Sequence, residues 1–225
     1  MDLPQIDISG VSKIYKANGL PTAALSEISL TVQKGEFSVL AGPSGSGKST
    51  LLHLIGGLDQ PTEGSVLVAG EDLRVLSAKE LAIFRLHKIG FVFQAYNLIP
   101  IFSAQENVEY PLLLQGIDKQ EREKRCRELL TRVDLGDQMH KKPGEMSGGQ
   151  QQRVAVARAL ASKPEIVLAD EPTANLDSKT GAALIDLFRD LNDQLKVTFV
   201  FASHDSMVIE RAKRVIRLKD GKVVS

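Results

Sequence analysis

The chain has 225 residues, of which 43% are hydrophobic and 25% charged, and these proportions are ordinary for a globular protein. Its 28 basic and 28 acidic residues cancel, so the overall charge gives no reason to expect a nucleic acid or an anionic lipid as partner. The single cysteine, Cys126, excludes an intrachain disulfide and is typical of a reducing cytosol. No stretch approaches ~18 apolar residues, so we expect no direct insertion into a membrane.

Four short apolar runs predict the strands of a parallel sheet. Each run is rich in β-branched and aromatic residues, which suits strands buried on both faces. The runs cover residues 37–41, 89–93, 165–170 and 197–203. A further run at 25–32 begins with alternating polar and apolar residues, and it predicts part of an antiparallel β region near the N-terminus.

Helical patterns and a final hairpin complete the predicted elements. An i, i+3, i+4, i+7 spacing of apolar residues predicts an amphipathic helix at 119–133, and 181–191 reads as another. Asp220-Gly221 lies between two apolar runs and predicts a β-hairpin. The order of elements predicts one α/β domain with a helical subdomain at about 95–162, inserted between core residues 1–94 and 163–225.

Residues 42–50, GPSGSGKST, fit the phosphate-loop pattern G-x-x-x-x-G-K-[ST]. A strand is predicted before them and a helix after them, so a plain glycine-rich turn is a poor explanation. Backbone N–H groups of such a loop converge on phosphate oxygens, the lysine reaches the β- and γ-phosphates, and the hydroxyl after it binds Mg²⁺. The predicted nucleotide-binding residues are Gly42, Pro43, Ser44, Gly45, Ser46, Gly47, Lys48, Ser49 and Thr50. The motif leaves open whether the chain is a kinase, GTPase, helicase or transport ATPase.

Two acidic residues, Asp170 and Glu171, end the predicted strand at 165–170. Asp170 is in position to hold Mg²⁺ together with Ser49. Glu171, one residue further, is in position to act as general base toward an attacking water. Two solvated carboxylates in a turn would be the plainer explanation, but the phosphate loop favours the catalytic one and favours hydrolysis.

The stretch Ser147-Gly148-Gly149-Gln150 opens a predicted helix. Ser147 and Gln150 fit the capping-box pattern S-x-x-Q. Paired glycines are poor helix formers, and a capped helix alone does not explain them. Their lack of side chains would let a phosphate approach the N–H groups at the helix end, where the helix dipole favours negative charge.

The order of these motifs along essentially the whole chain resembles the nucleotide-binding subunit of ABC transporters, in which SGGQ is the signature motif. The resemblance implies an α/β P-loop NTPase core with a parallel sheet, an N-terminal antiparallel β region and an inserted α-helical signature subdomain. It also implies ATP and Mg²⁺ as cofactors. Two copies would sandwich two ATP molecules, each between one chain's phosphate loop and the other's Ser147–Gln150.

Further positions match the family, and the resemblance implies a role for each. Tyr15 would stack on adenine, Gln94 would contact the metal and the reacting water, Asp177 would cross the dimer, and His204 would contact the γ-phosphate. Each also has a plainer explanation. Tyr15 would then be core packing, Gln94 a polar residue at a strand end, and His204 a cap of the following helix.

Several segments resemble a narrower group, the lipoprotein-release and macrolide-export branch; they include 87–100 and 170–181. The resemblance implies a separate integral membrane permease as partner, no nucleic acid, and a cytoplasmic location on the inner face of the membrane. We expect part of the apolar segment 97–102, with Tyr96 nearby, to form the groove that receives a permease helix, and internal packing of the segment is the alternative.

Other functions remain possible from the sequence. The same ATPase could act in cell division or signalling on a membrane partner without transport. A small-molecule kinase would have no use for SGGQ, and a translation or DNA-repair ATPase needs a second cassette or a long coiled coil. The sequence therefore predicts an ATP-hydrolysing subunit and does not name a transported substrate.

Overall fold

A computed structural model describes residues 3–17 and 20–224 of the chain. The strands are β1 (Ile6–Ala17), β2 (Leu20–Val32), β3 (Phe37–Ala41), β4 (Glu63–Val68), β5 (Glu71–Asp72), β6 (Ile89–Phe93), β7 (Ile166–Asp170), β8 (Thr198–Ser203), β9 (Arg214–Lys219) and β10 (Lys222–Val224). The helices are α1 (Lys48–Ile55), α2 (Ala78–Lys88), α3 (Ala104–Leu114), α4 (Lys119–Arg132), α5 (Gly148–Ala161), α6 (Ser178–Leu195) and α7 (Ser206–Glu210).

The described strands form two sheets. One is antiparallel, with strand order β2-β1-β4-β5. The other has the order β10-β9-β3-β8-β7-β6, and all its neighbouring strands are parallel except the β9–β10 hairpin. The predicted parallel sheet and the predicted antiparallel β region are both confirmed.

The central strands β3, β7 and β8 are buried on both faces of the sheet, which explains their continuous apolar sequences. Along β8, Phe199 and Phe201 pack into one hydrophobic cluster together with α3, α4, α5 and α6. Val200, between them, packs into a second cluster with the antiparallel sheet and α1. Successive side chains of a strand point to opposite faces, so one strand serves both clusters.

The predicted helical region contains α3, α4 and α5. Its buried residues, including Val108 and Leu130, belong to the same hydrophobic cluster as Val167 and Phe199 of the core strands. Helix α5 also lies very close to β6, because a Cβ on Gly90 would be 2.2 Å from the carbonyl oxygen of Ala159. The helices are therefore packed directly on the sheet, and the division at about 95 and 162 stays a prediction.

The C-terminal hairpin turns at Asp220 and Gly221 as predicted. Both residues have positive φ, 49° and 73°, and Lys219 pairs with Lys222. Two central residues with positive φ are what a tight two-residue hairpin requires, and the Asp-Gly pair tolerates this at low cost.

Candidate nucleotide-binding site

The phosphate loop connects β3 to α1, as predicted. Gly45 and Gly47 have φ angles of 79° and 100°, in the left-handed region that favours glycine. Gly47 is also crowded, because a Cβ there would lie 2.7 Å from the carbonyl oxygen of Ala24. The loop conformation thus depends on glycine at these two positions. Helix α1 begins directly after the loop, so the free N–H groups of its first turn lie at the loop.

Lys48 is only 6% exposed, and its ammonium group lies among oxygen atoms. Its Nζ donates to the carbonyl oxygens of Gly42 at 2.9 Å and Pro43 at 3.0 Å. The same Nζ is 3.9 Å from Oε1 of Glu171. A buried cation held by two carbonyls and one carboxylate gives the loop a fixed positive charge, which suits a phosphate group.

Ser49 and Asp170 meet at the end of β7. The Ser49 hydroxyl donates to Oδ1 of Asp170 at 2.9 Å. A hydroxyl and a carboxylate in contact are hard oxygen donors of the kind that Mg²⁺ takes in small number beside phosphate oxygens and water. The donor set therefore fits the magnesium ion that the sequence predicts at these two residues.

Gln94 follows the last residue of β6. Because Phe93 pairs with Asp170 across the β6–β7 ladder, Gln94 lies beside the turn that carries Glu171. Gln94 is exposed. Its backbone carbonyl oxygen accepts a hydrogen bond from Nδ2 of Asn175 at 3.0 Å. Its predicted contacts with metal and water stay predictions.

Glu171 follows β7 and is held by groups of β8 and of the residue directly after it. It has φ of 45°, uncommon for a residue other than glycine, and its N–H donates to the carbonyl of Ala202 at 2.9 Å. Its Oε1 is 2.8 Å from Nδ1 of His204, and its Oε2 accepts from the Ser203 hydroxyl at 3.3 Å. The side chain thus stands fixed at the carboxyl ends of β7 and β8, where parallel sheets bind ligands.

His204 does not cap the following helix. The cap of α7 is Asp205, whose side chain accepts from the N–H of Met207 at 2.9 Å. The alternative structural role for His204 is therefore wrong. Ser203 was not predicted as a site residue, because a hydroxyl inside a buried strand carries no sequence signal of its contact with a distant carboxylate.

Tyr15 lies on β1 and is 40% exposed, so the core-packing explanation is wrong. Its hydroxyl donates to Oδ2 of Asp59 at 2.8 Å, and Nζ of Lys13 lies 4.8 Å from the ring centroid. Burial, followed by the hydrogen bond to Asp59, raises the pKa of Tyr15. Burial alone would raise the pKa of Asp59, but hydrogen bonds from Lys13 and Tyr15 outweigh it and lower that pKa.

The capping box at Ser147 is confirmed. The Ser147 N–H donates to Oε1 of Gln150 at 2.9 Å, and the Gln150 N–H donates to Oγ of Ser147 at 3.3 Å. The glycines between them are not simply open to solvent. A Cβ on Gly148 would lie 2.7 Å from the Tyr96 hydroxyl, and one on Gly149 would lie 2.5 Å from the Thr180 methyl. Packing inside the chain thus gives both glycines a reason that the sequence did not reveal.

Asp177 caps helix α6. Its Oδ1 accepts from the N–H groups of Lys179 and Thr180, and its Oδ2 accepts from the Thr180 hydroxyl at 2.6 Å. The hydrogen bond from the Thr180 hydroxyl is the largest of the contacts that lower the pKa of Asp177. The structure shows a capping role, and the nucleotide role across a dimer stays a prediction.

The apolar segment 97–102 is partly packed against the core and partly exposed. Leu98 packs against the hydrophobic core, whereas Ile101 is 73% exposed. An open groove of about 410 Å³ lies beside the segment, and it includes Asn97 but neither Leu98 nor Ile101. Its apolar lining comes mainly from Leu58, Leu86, Phe91, Phe93 and Leu114. A groove thus lies beside the predicted segment, but Asn97 is the one residue of that segment in its lining.

A glycine-rich loop with a buried lysine, a serine–aspartate pair for a metal, and a carboxylate held by a histidine together define a P-loop nucleoside triphosphatase. Comparisons with known proteins narrow this class. Residues 25–174 match the family described as "ABC transporter", so the chain belongs to the ABC transporter family. As a member of this family it is an enzyme that binds and hydrolyses ATP.

Individual relatives agree with the family match. The chain is 47% identical to the "Lipoprotein-releasing system ATP-binding protein LolD" of a Shewanella species over 96% of this chain and 94% of the relative. It is 44% identical to the "Macrolide export ATP-binding/permease protein MacB" of Hyphomonas neptunium, covering all of this chain but 35% of that protein. A solved dimeric ATP-binding cassette bound to ADP and phosphate has a TM-score of 0.90 and 46% identity, over 98% of this chain and 97% of that one.

The helices of the described residues include none that could cross a membrane, judged by their length and hydropathy.

Proposed function

We propose that this chain is the ATP-hydrolysing subunit of an ABC transporter of the lipoprotein-release or macrolide-export type. Two copies close around two ATP molecules, and hydrolysis reopens them. The relatives are named for lipoprotein release and macrolide export, and the similar solved cassette is described as a dimer with ADP and phosphate. These names favour transport over cell-division or signalling control.

The observation that carries the hydrolytic part of the proposal is the position of Glu171. Its carboxylate lies 3.9 Å from Nζ of Lys48 and 2.8 Å from Nδ1 of His204. A phosphate held by Lys48 would therefore lie close to a fixed carboxylate. A carboxylate there can accept the proton of an attacking water, while His204 holds its orientation.

The other site residues bind and orient. The phosphate loop and Lys48 hold the phosphates, Tyr15 stacks on adenine, and Ser49, Asp170 and Gln94 hold Mg²⁺, which neutralises phosphate charge when bound. Ser147 to Gln150 and Asp177 face the nucleotide of the second copy. Each of these roles is part of the proposal and is open to substitution experiments.

The membrane partner is proposed to dock through the groove between α2, β6, α3 and α5. Leu58 and Leu114, on its lining, are 46% and 57% exposed. Exposed apolar side chains around a concave surface are typical of a docking site for an amphipathic helix. A permease helix on the cytoplasmic side of a membrane would place this chain there as a peripheral subunit.

Glu171→Gln tests the hydrolytic role. We expect ATP still to bind, and we expect kcat to fall by about 10²–10⁴-fold, because the amide cannot accept the proton. The measurement is phosphate release at saturating ATP. Glu63→Gln, an exposed carboxylate on β4, is the matched control and should keep normal turnover. Normal turnover by Glu171→Gln would remove this residue from the role of base.

A further inference from the structure

The first turn of α5 is in close contact with two side chains of its own chain. The Cβ that Gly148 lacks would stand 2.7 Å from the Tyr96 hydroxyl, and the one that Gly149 lacks would stand 2.5 Å from Cγ2 of Thr180. Real Cβ atoms essentially never come so near another heavy atom. The two glycines therefore leave space that Tyr96 and Thr180 occupy.

Tyr96 is fixed in a backbone conformation that few residues adopt. Tyr96 and Asn97 have φ angles of 59° and 49°, which are strained for residues other than glycine. Their carbonyl oxygens both accept from the guanidinium of Arg158, in the last turn of α5. Burial lowers the pKa of Arg158. Tyr96 is thus held by the end of α5 and touches its beginning.

Thr180 is fixed as well. Its hydroxyl donates to Oδ2 of Asp177 at 2.6 Å, and its N–H donates to Oδ1 of the same carboxylate at 3.0 Å. The hydroxyl bond sets the side-chain rotamer, and the methyl group is left against Gly149. The first turn of α6, which follows the loop after β7, therefore contacts the first turn of α5 through an oriented methyl group.

We propose that Tyr96 and Thr180 are positioning residues for the ATP site between two copies of the chain. They set the position of the first turn of α5 relative to the loop after β6, which carries Gln94, and the loop after β7, which carries Asp177. They act through the α5 turn and do not touch the nucleotide. The inference rests on the proposed function, because the position of this turn affects turnover only if it faces the nucleotide of a second copy.

Matched double variants test this. Gly148→Ala creates a clash with the Tyr96 hydroxyl, and adding Tyr96→Phe removes it, because the next Tyr96 atom, Cζ, is at an ordinary 3.6 Å. Gly149→Ala creates a clash with the Thr180 methyl, and adding Thr180→Ser removes it. The serine keeps a hydroxyl for Asp177, and the next Thr180 atom, Cβ, is at 4.0 Å.

Two readouts are needed. ATP-driven dimerisation is measured in the Glu171→Gln background, and kcat and KM are measured with Glu171 present. We expect each glycine-to-alanine variant to dimerise roughly tenfold less well and to lose kcat in proportion, while nucleotide affinity of the monomer is unchanged. Each matched double variant should recover most of the loss. The mismatched pairs, Gly148→Ala with Thr180→Ser and Gly149→Ala with Tyr96→Phe, should recover none.

If the matched double variants are as defective as the glycine-to-alanine variants, the inference is wrong. Close approach of a phosphate to the helix end would then remain as the reason for the glycines. Equal recovery by mismatched doubles, or alanine variants with no defect, would overturn the inference too. Thermal melting of each variant shows whether a defect is loss of the fold, which a positioning role does not predict. If the Glu171→Gln parent fails to dimerise with ATP, the proposed function itself is wrong.

Discussion

The ring of Tyr15, which is predicted to stack on adenine, is anchored through its hydroxyl group. Lys13 donates to Asp59 at 2.6 Å, and Asp59 accepts from Tyr15, so the ring is anchored while 40% of the residue stays exposed. An anchored, partly exposed ring is what stacking on a base requires, because little freedom is then lost on binding. Neither Lys13 nor Asp59 was predicted, since contacts across β1 and the loop after α1 leave no pattern in the sequence.

Substitution of Tyr15 tests its adenine role. Tyr15→Ala should raise KM for ATP about tenfold, because stacking of a base on an aromatic ring contributes ~1–3 kcal/mol. Tyr15→Phe keeps the ring and should change KM far less. Steady-state kinetics over a range of ATP concentrations measure both. If alanine and phenylalanine behave alike, the ring does not stack on the base.

Cys126 gives a prediction that does not depend on the site. It is fully buried on α4, and burial raises the pKa of its thiol to about 12. At pH 8 the native thiol should therefore stay protonated and unreactive, because the thiolate is the reacting form. A chromogenic disulfide reagent should label no thiol in the native protein and one in denaturant. Fast labelling of the native protein would contradict the assignment of Cys126 to the core.

At the scale of elements, the predictions for the strands of the parallel sheet were accurate to within one residue. β3 and β6 have the bounds that their apolar runs predict, and β7 and β8 each begin one residue later than predicted. The prediction for 181–191 was too short, because α6 begins at Ser178 behind its Asp177 cap and runs to Leu195.

Helix α2 was missed altogether. Only two of its residues, Leu81 and Phe84, are buried, so it has almost no apolar periodicity. A signal was nevertheless present. Ser77 and Glu80 form a capping box, and the pattern S-x-x-E before the helix was readable from the sequence.

The close packing of α5 on β6 predicts the effect of one methyl group. Gly90→Ala would place a Cβ 2.2 Å from the carbonyl oxygen of Ala159, and such overpacking typically costs ~1–3 kcal/mol. Urea unfolding should show this loss. Gly144→Ala is the control, because a Cβ at Gly144 meets no atom within 4 Å and should change stability little. Equal stability of the two variants would show that α5 can move away from the sheet without cost.

At the scale of the whole molecule, motifs far apart in sequence converge because parallel strands end at one edge. Lys48, Asp170, Glu171 and His204 follow or end β3, β7 and β8, so their proximity was predictable once those strands were. Ser203, Tyr96 and Thr180 were not predictable as site residues, because their contacts depend on side-chain packing between loops. The glycines of SGGQ were identified correctly as unusual, but their packing partners were not.

Docking of the permease is testable on the groove. Leu58→Ser combined with Leu114→Ser should remove the chain from the membrane fraction of its host cells and leave ATP binding intact, because the groove loses its apolar surface. Leu3→Ser combined with Val75→Ser changes two side chains that are 83% and 76% exposed and outside the groove. This control should remain with membranes. If the groove variant remained in the membrane fraction, the permease would have to dock on another surface of the chain.

The central claim is that two copies share each ATP, with the turn at Ser147 facing the nucleotide of the other copy. Ser147→Arg tests it better than Gly149→Asp, because a side chain at Gly149 would also clash with Thr180. The most direct measurement is the molar mass of Glu171→Gln in solution, with and without ATP, by light scattering. We expect a monomer without ATP, a dimer with ATP, and a monomer that still binds ATP when Ser147→Arg is added. A dimer with ATP in the presence of Ser147→Arg, or no dimer in its absence, would contradict it.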